Sequence, residues 1–248
     1  MFTEERARWL HQHYCWLDEH LPAHTDKVSP RLILPTPEFY PARNSRDYAF
    51  AQVTFEQTRE YMGIRDWPCT LSVQSDEDQN LPHLRVAGLF GETRTSGAAG
   101  TFCAGDAVEI TYSPSLLKNP TGLISTLAHE LCHYLLATVK TEPPCGWADH
   151  ERLTDLAAVR EGFGVFLCNT AFEFGQWGDA QFSGWQSSTR GYLTEAELGF
   201  SLGIFCVRNG LTPDDVVSFL KPNPAEIFWD SIGYIEDLEG DGQSHAAF

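Results

Sequence analysis

The order of apolar and polar positions along the chain predicts a mixed first half and a strongly helical second half. Trp9, Leu10, His13, Trp16 and Leu17 recur at helical spacing and predict a helix over 3–20. The proline-punctuated LPAHTDKVSPRLILPTPEFYPARNS that follows reads as an ordered crossing or a loop laid on the surface. A second helix is predicted over 46–62, stopped by Gly63. In CTLSVQS (69–75), Leu71 and Val73 alternate with polar neighbours, which predicts a strand. LRVAGLFGET (84–93) and AVEITYS (107–113) predict two more, separated by the Gly- and Ala-rich RTSGAAGTFCAGD.

From Pro120 the period becomes helical. A helix opening at Thr121-Gly122 and running to about Thr138 carries Ile124, Leu127, Leu131 and Leu135 on one face. The loop KTEPPCGWADH leads into a second helix over about 151–172, and the polar, Gly-rich EFGQWGDAQFSGWQSSTRGY then interrupts the pattern. Helices over about 194–208 and 213–220 follow, and the tail is acidic. No repeat, heptad run or low-complexity linker marks a boundary. The prediction is one α+β domain over 1–248, with a helical and strand part over about 1–115 and a helical part over about 116–248.

A chain of 248 residues can bury a core without disulfide staples. Its net charge of −17 repels phosphate backbones and anionic lipid, which argues against nucleic-acid and membrane partners. The seven cysteines are scattered without a CxxC pair, and MFTEERARWLHQHYCWLDEHL lacks the apolar core of a secretory signal. No run approaches the ~18 apolar residues of a membrane span. These features predict a cytoplasmic protein with reduced thiols.

The chemistry concentrates in HELCH, residues 129–133. Residues four apart on a helix sit about 40° apart around its axis, so His129 and His133 project side by side. Both can reach one ion at the zinc–nitrogen distance of ~2.0–2.1 Å. Glu130, rotated by about 100°, stays out of that ligand shell but near water on the ion, where a general base works. The pattern arises by chance in roughly one chain in a hundred of this length; its mid-helix position and the carboxylates on the next helix favour a Zn2+ site.

HELCH resembles the motif of the zincin superfamily of zinc metallopeptidases, and the resemblance covers residues 121–172. Glu151 and Asp155 form a Glu-x-x-x-Asp on the following helix, similar to the gluzincin branch. The resemblance implies a small mixed sheet packed on the motif helix, with Glu151 as third zinc ligand. It also implies that Asp155 holds a ligating histidine through its ring N–H, a bond that fixes tautomer and ring orientation. The residues themselves leave alternatives open. An acid at the start of a helix, as Glu151 is, is favoured by the macrodipole in any case. Asp155 lies deeper, before Leu156, Ala157, Ala158 and Val159, where a carboxylate needs a partner, and it could itself be the ligand. His150, Glu161 and Cys145 also have ligand chemistry.

Three protein ligands leave a fourth position for water, whose pKa zinc lowers toward ~7. Glu130 would take its proton and pass it to the leaving amine, giving hydrolysis of a peptide or protein substrate. Tyr192, Arg190 and Tyr134 are candidates to stabilise the oxyanion. AVEITYS or GAAGTFC would serve as an edge strand pairing with extended substrate. Two other readings compete. One is an inactive, zincin-derived peptide-binding or regulatory domain, against which an intact Glu130 argues. The other is a non-peptide amide hydrolase resembling a deformylase, with Cys103 as third ligand.

Overall fold

The computed structural model describes residues 2–21, 31–41, 45–74, 93–96, 100–104, 108–179 and 192–245. Among them the chain forms eight α-helices and one four-stranded sheet, an α+β arrangement dominated by helices. Helix α1 (Glu4–His20) opens where the Thr3 side chain accepts from the Arg6 N–H, and it buries Leu10, Tyr14 and Leu17. Helix α2 (Tyr48–Tyr61) is capped in the same way by Asp47. The strands are β1 (Cys69–Val73), β2 (Thr93–Ser96), β3 (Gly100–Ala104) and β4 (Val108–Tyr112).

The sheet order is β1-β4-β3-β2. Strand β1 runs parallel to β4 with Leu71 opposite Ile110, and the other two pairings are antiparallel. This order corrects the edge-strand expectation. Both AVEITYS (β4) and GAAGTFC (β3) are paired on their two sides, so neither has a free row of backbone groups to offer a substrate. Among the described residues the edges are β1 and β2, and on β1 the Leu71 carbonyl accepts from the Tyr48 hydroxyl at 3.0 Å. The predicted loop 94–106 instead contributes most of the β2–β3 hairpin. Small residues there give no apolar alternation, and it is the ladder to β4 that makes them strands. Of the strand predicted over 84–93, all but Thr93 lies outside the described residues.

Helix α3 (Pro120–Ala137) carries HELCH. Asn119 caps it by accepting from the Gly122 N–H at 3.1 Å, and Pro120 occupies the first turn. Nearly every residue from Gly122 to Leu136 is buried, not one stripe alone. Strands β3 and β4 cover part of the helix, and α2, α4 (His150–Ala158) and α5 (Gly164–Asp179) pack around it. A helix so enclosed holds its side chains in fixed positions, which suits it to carry a site.

The single helix predicted over 151–172 is broken. Between α4 and α5, residues Val159–Phe163 form a π-helical turn with Gly162 at φ +96°. A Cβ on Gly162 would lie 2.1 Å from the Arg31 carbonyl oxygen, and the Gly162 carbonyl accepts from the Ile33 N–H at 2.9 Å. The proline-rich segment is thus an ordered crossing at residues 31–41, docked on the helix break. Helix α5 also runs to Asp179, through residues whose composition predicted an interruption. After α6 (Glu195–Arg208) and the short α7 (Pro213–Val217), the acidic tail forms α8 (Pro222–His245). Helices α6 and α8 meet closely at glycines: a Cβ at Gly203 would fall 2.6 Å from Ile235 Cδ1. Among the described residues no helix is long and apolar enough to cross a membrane.

Candidate metal centre

One face of α4 is aimed at one face of α3. His150, Glu151, Thr154 and Asp155 fall at offsets of zero, one, four and five, so they share a side of α4. Across from them stand His129 and His133. His129, Glu130, His133 and Asp155 are all buried, and Glu151 keeps 22% of its side chain exposed, which places the opening of the site on its side.

The inner atoms of this cluster form a small triangle. His129 Nε2 lies 3.1 Å from His133 Nε2, and Glu151 Oε2 lies 3.2 Å from the first and 3.4 Å from the second. The outer partners set the tautomer that each ring adopts when neutral. Asp155 Oδ1 accepts from His129 Nδ1–H at 2.8 Å. The Thr154 hydroxyl donates to the His150 carbonyl at 2.7 Å, so the same oxygen accepts from His133 Nδ1–H at 3.2 Å. His150 faces two acceptors, Glu151 Oε1 at 3.1 Å from Nε2 and the Trp147 carbonyl at 3.2 Å from Nδ1, and donates to both as an imidazolium, a form the bond to Glu151 favours by raising its pKa. With both imidazoles neutral, the three inner atoms are three acceptors facing one another, a mutually repelling set unless something positive lies between them. Ligands held tetrahedrally at ~2.0–2.1 Å stand about 3.3–3.4 Å apart, close to the edges of this triangle. Among the described residues, His129, His133 and Glu151 are the group that could hold a metal ion.

The electrostatics express the same crowding. Burial opposes protonation of His129, but its hydrogen bonds to Asp155 and Glu151 outweigh burial and hold its pKa well above the ordinary imidazole range. For His133, burial wins over the pull of Glu151, and its pKa falls. Burial would raise Glu151, yet His133, His129 and His150 together bring it well below the usual carboxylate range. Burial pushes Glu130 up to about 8; His129 opposes the rise and the charges of Glu151 and Asp155 add to it. In the absence of a cation, one proton on His129 takes the positive role within the triangle.

Glu130 stands apart from this network. Its Oε2 is buried with no hydrogen-bond partner among the described residues, a costly position for a carboxylate unless a ligand or substrate completes it. Tyr192 approaches from another direction. Its ring centroid is 5.3 Å from that of His129, and the next residue, Leu193, donates its N–H to Asp155 Oδ2 at 2.8 Å. Asp155 therefore binds a histidine with one oxygen and the entry to α6 with the other.

Several sequence expectations are redistributed by this geometry. Asp155 faces the outer nitrogen of His129 and does not join the converging atoms. Glu161 lies in the π turn and pairs with Arg160 at 2.7 Å, and Cys145 directs its thiol to the Gly146 carbonyl. The Tyr134 hydroxyl donates to the Pro68 carbonyl at 3.3 Å, with its ring against Trp67, so it is directed away from the triangle. Arg190 and the side chain of Cys103 lie outside the described residues. Sequence reasoning missed Thr154 and the hold of His150 on Glu151. The signal was present: Thr154 lies about 60° from Glu151 around α4, on the same side of the helix, but a hydroxyl is not a ligand type and was not sought.

Set against protein-family models, curated proteins and solved structures, the chain matches none of them.

Proposed function

We propose that this protein is a zinc-dependent metallopeptidase with a zincin-like core. The observation that carries the reading is the convergence of His129 Nε2, His133 Nε2 and Glu151 Oε2, three acceptors once both rings are neutral. The packing of β3 and β4 on α3, and the return of α4 to supply Glu151, support the zincin-like arrangement.

In this reading His129, His133 and Glu151 hold the ion. Bound zinc would supply Lewis acidity, polarising a substrate carbonyl and making water acidic near neutral pH. Asp155 keeps His129 in the tautomer that presents Nε2, and His150 keeps Glu151 turned so that Oε2 points inward. Glu130 is the proton carrier. Its buried oxygen, without a hydrogen-bond partner among the described residues, suits a group that takes a proton from water and returns it to a departing amine. Tyr192, whose ring lies beside His129, would donate its hydroxyl to the carbonyl oxygen of a substrate.

The test uses zinc-loaded wild type and Glu130→Gln on a mixed peptide library. Glu130→Gln should retain one zinc per chain and lose hydrolysis by roughly 10²–10⁴-fold, the usual share of a general base. Equal peptide hydrolysis by both proteins would reject Glu130 as the base. Zinc binding with no hydrolysis by wild type would favour the peptide-binding domain.

A further inference from the structure

We propose that Thr154 is a positioning residue for His133, deciding which ring nitrogen of that histidine is offered to a metal ion; the inference rests on the zinc reading above. A neutral imidazole carries one proton on one of two nitrogens, and only the other nitrogen can bind a metal. For His129 the choice is made by a carboxylate, Asp155, which can only accept. His133 Nδ1 faces the Thr154 side chain instead. It has a hydroxyl, which by itself can donate or accept and so enforces nothing.

The helix removes that freedom. Thr154 Oγ1 lies 2.7 Å from the carbonyl of His150, one turn earlier on α4. A carbonyl has no proton to give, so this short contact commits the single hydroxyl proton of Thr154 to it. What remains at Oγ1 are lone pairs, and these face His133 Nδ1 at 3.2 Å. The hydroxyl is thereby converted into a one-way acceptor, and His133 must place its proton on Nδ1. Nε2 is then bare and faces His129 Nε2 and Glu151 Oε2. The opposite tautomer would put a proton inside the triangle.

Bonding of a buried threonine to the carbonyl four residues back is a common helical habit and is not in itself functional. The same bond is made by Thr54 to the Phe50 carbonyl at 2.9 Å, on α2. What sets Thr154 apart is that the polarised oxygen meets a histidine of the triangle. Thr54 therefore supplies a control in which a buried back-bonded threonine is lost without touching the site.

The experiment compares wild type, Thr154→Val, Thr154→Ser and Thr54→Val by chelator competition for zinc, and reads the His133 tautomer by nitrogen-15 NMR in the zinc-free proteins. Valine keeps the shape and removes the acceptor. Thr154→Val should weaken zinc binding by about 10–100-fold, the range seen when a partner behind a ligand is removed. Thr154→Ser should restore zinc affinity, and Thr54→Val should bind zinc as wild type does. Wild-type zinc affinity in Thr154→Val would overturn the proposal and leave the zinc reading standing. So would a serine variant as weak as the valine one, or a wild-type His133 protonated at Nε2, which needs no variant to fold. A wild type that binds no zinc would overturn both.

Discussion

Glu130 occupies a position that folding alone does not favour. It is buried, one oxygen lacks a partner among the described residues, and its pKa is raised from 4.5 to about 8. A raised carboxylate pKa has a definite sign in stability. As pH climbs past 4.5 the unfolded chain releases this proton and the folded, zinc-free chain keeps it. The stability present below pH 4.5 is therefore lost progressively up to about pH 8. Glutamine keeps the neutral shape and cannot ionise. Relative to zinc-free wild type, Glu130→Gln should thus gain on the order of 2–4 kcal/mol between pH 5 and pH 8. Chelator-treated proteins unfolded in urea at the two pH values would show it. A difference between variant and wild type that is the same at both would mean that the carboxyl is not held neutral by the fold. A residue that lowers stability and is needed for turnover marks a functional site.

At the scale of elements, the π turn between α4 and α5 does structural work for the site. An inserted residue shifts the phase of the helix, so α4 can aim its ligand face at α3 while α5 packs on α3 and α6. Gly162 makes the turn possible through its positive φ and through the close pass of the Arg31 carbonyl. Gly162→Ala should destabilise the protein by about 2–4 kcal/mol, since a Cβ meets backbone there and cannot be accommodated by a rotamer change. Thermal unfolding would read this as a clear fall in Tm; an unchanged Tm would mean that the 31–41 crossing is not docked on the turn. This element also shows what the sequence could and could not reveal. The helices α1, α2, α3 and α6 were legible from apolar spacing, and residues such as Thr3, Asp47 and Thr194 cap them locally. The π turn was not, because its glycine sits inside an unbroken helical pattern and its cause is a segment about 130 residues earlier. The β2–β3 hairpin owes its strands to β4, and α8 owes its helix to packing against the glycines of α6. The apolar spacing of Phe228, Ile232 and Ile235 was present in the acidic tail, but charge masked it.

For the whole molecule, the candidate site was legible in outline because its parts are local. His129, Glu130 and His133 lie on one helical turn, and Glu151 and Asp155 lie on another. Which carboxylate converges with the imidazoles was left open by the residues themselves; only the resemblance favoured Glu151, the one that converges. That depends on the rotation of α4 against α3, which is set by packing across the molecule and not by either helix alone. The scattered cysteine spacing read correctly where it can be followed: the six cysteines whose side chains are described are free thiols, and none of them joins the triangle. The central claim is that one ion is held by two imidazoles and one carboxylate. X-ray absorption at the zinc edge, on the purified zinc-loaded chain, tests it most directly. The account predicts a first shell of nitrogen and oxygen alone at ~2.0–2.1 Å, with the outer-shell scattering of two imidazole rings. A sulfur at ~2.3 Å, or a zinc with no imidazole around it, would contradict the account.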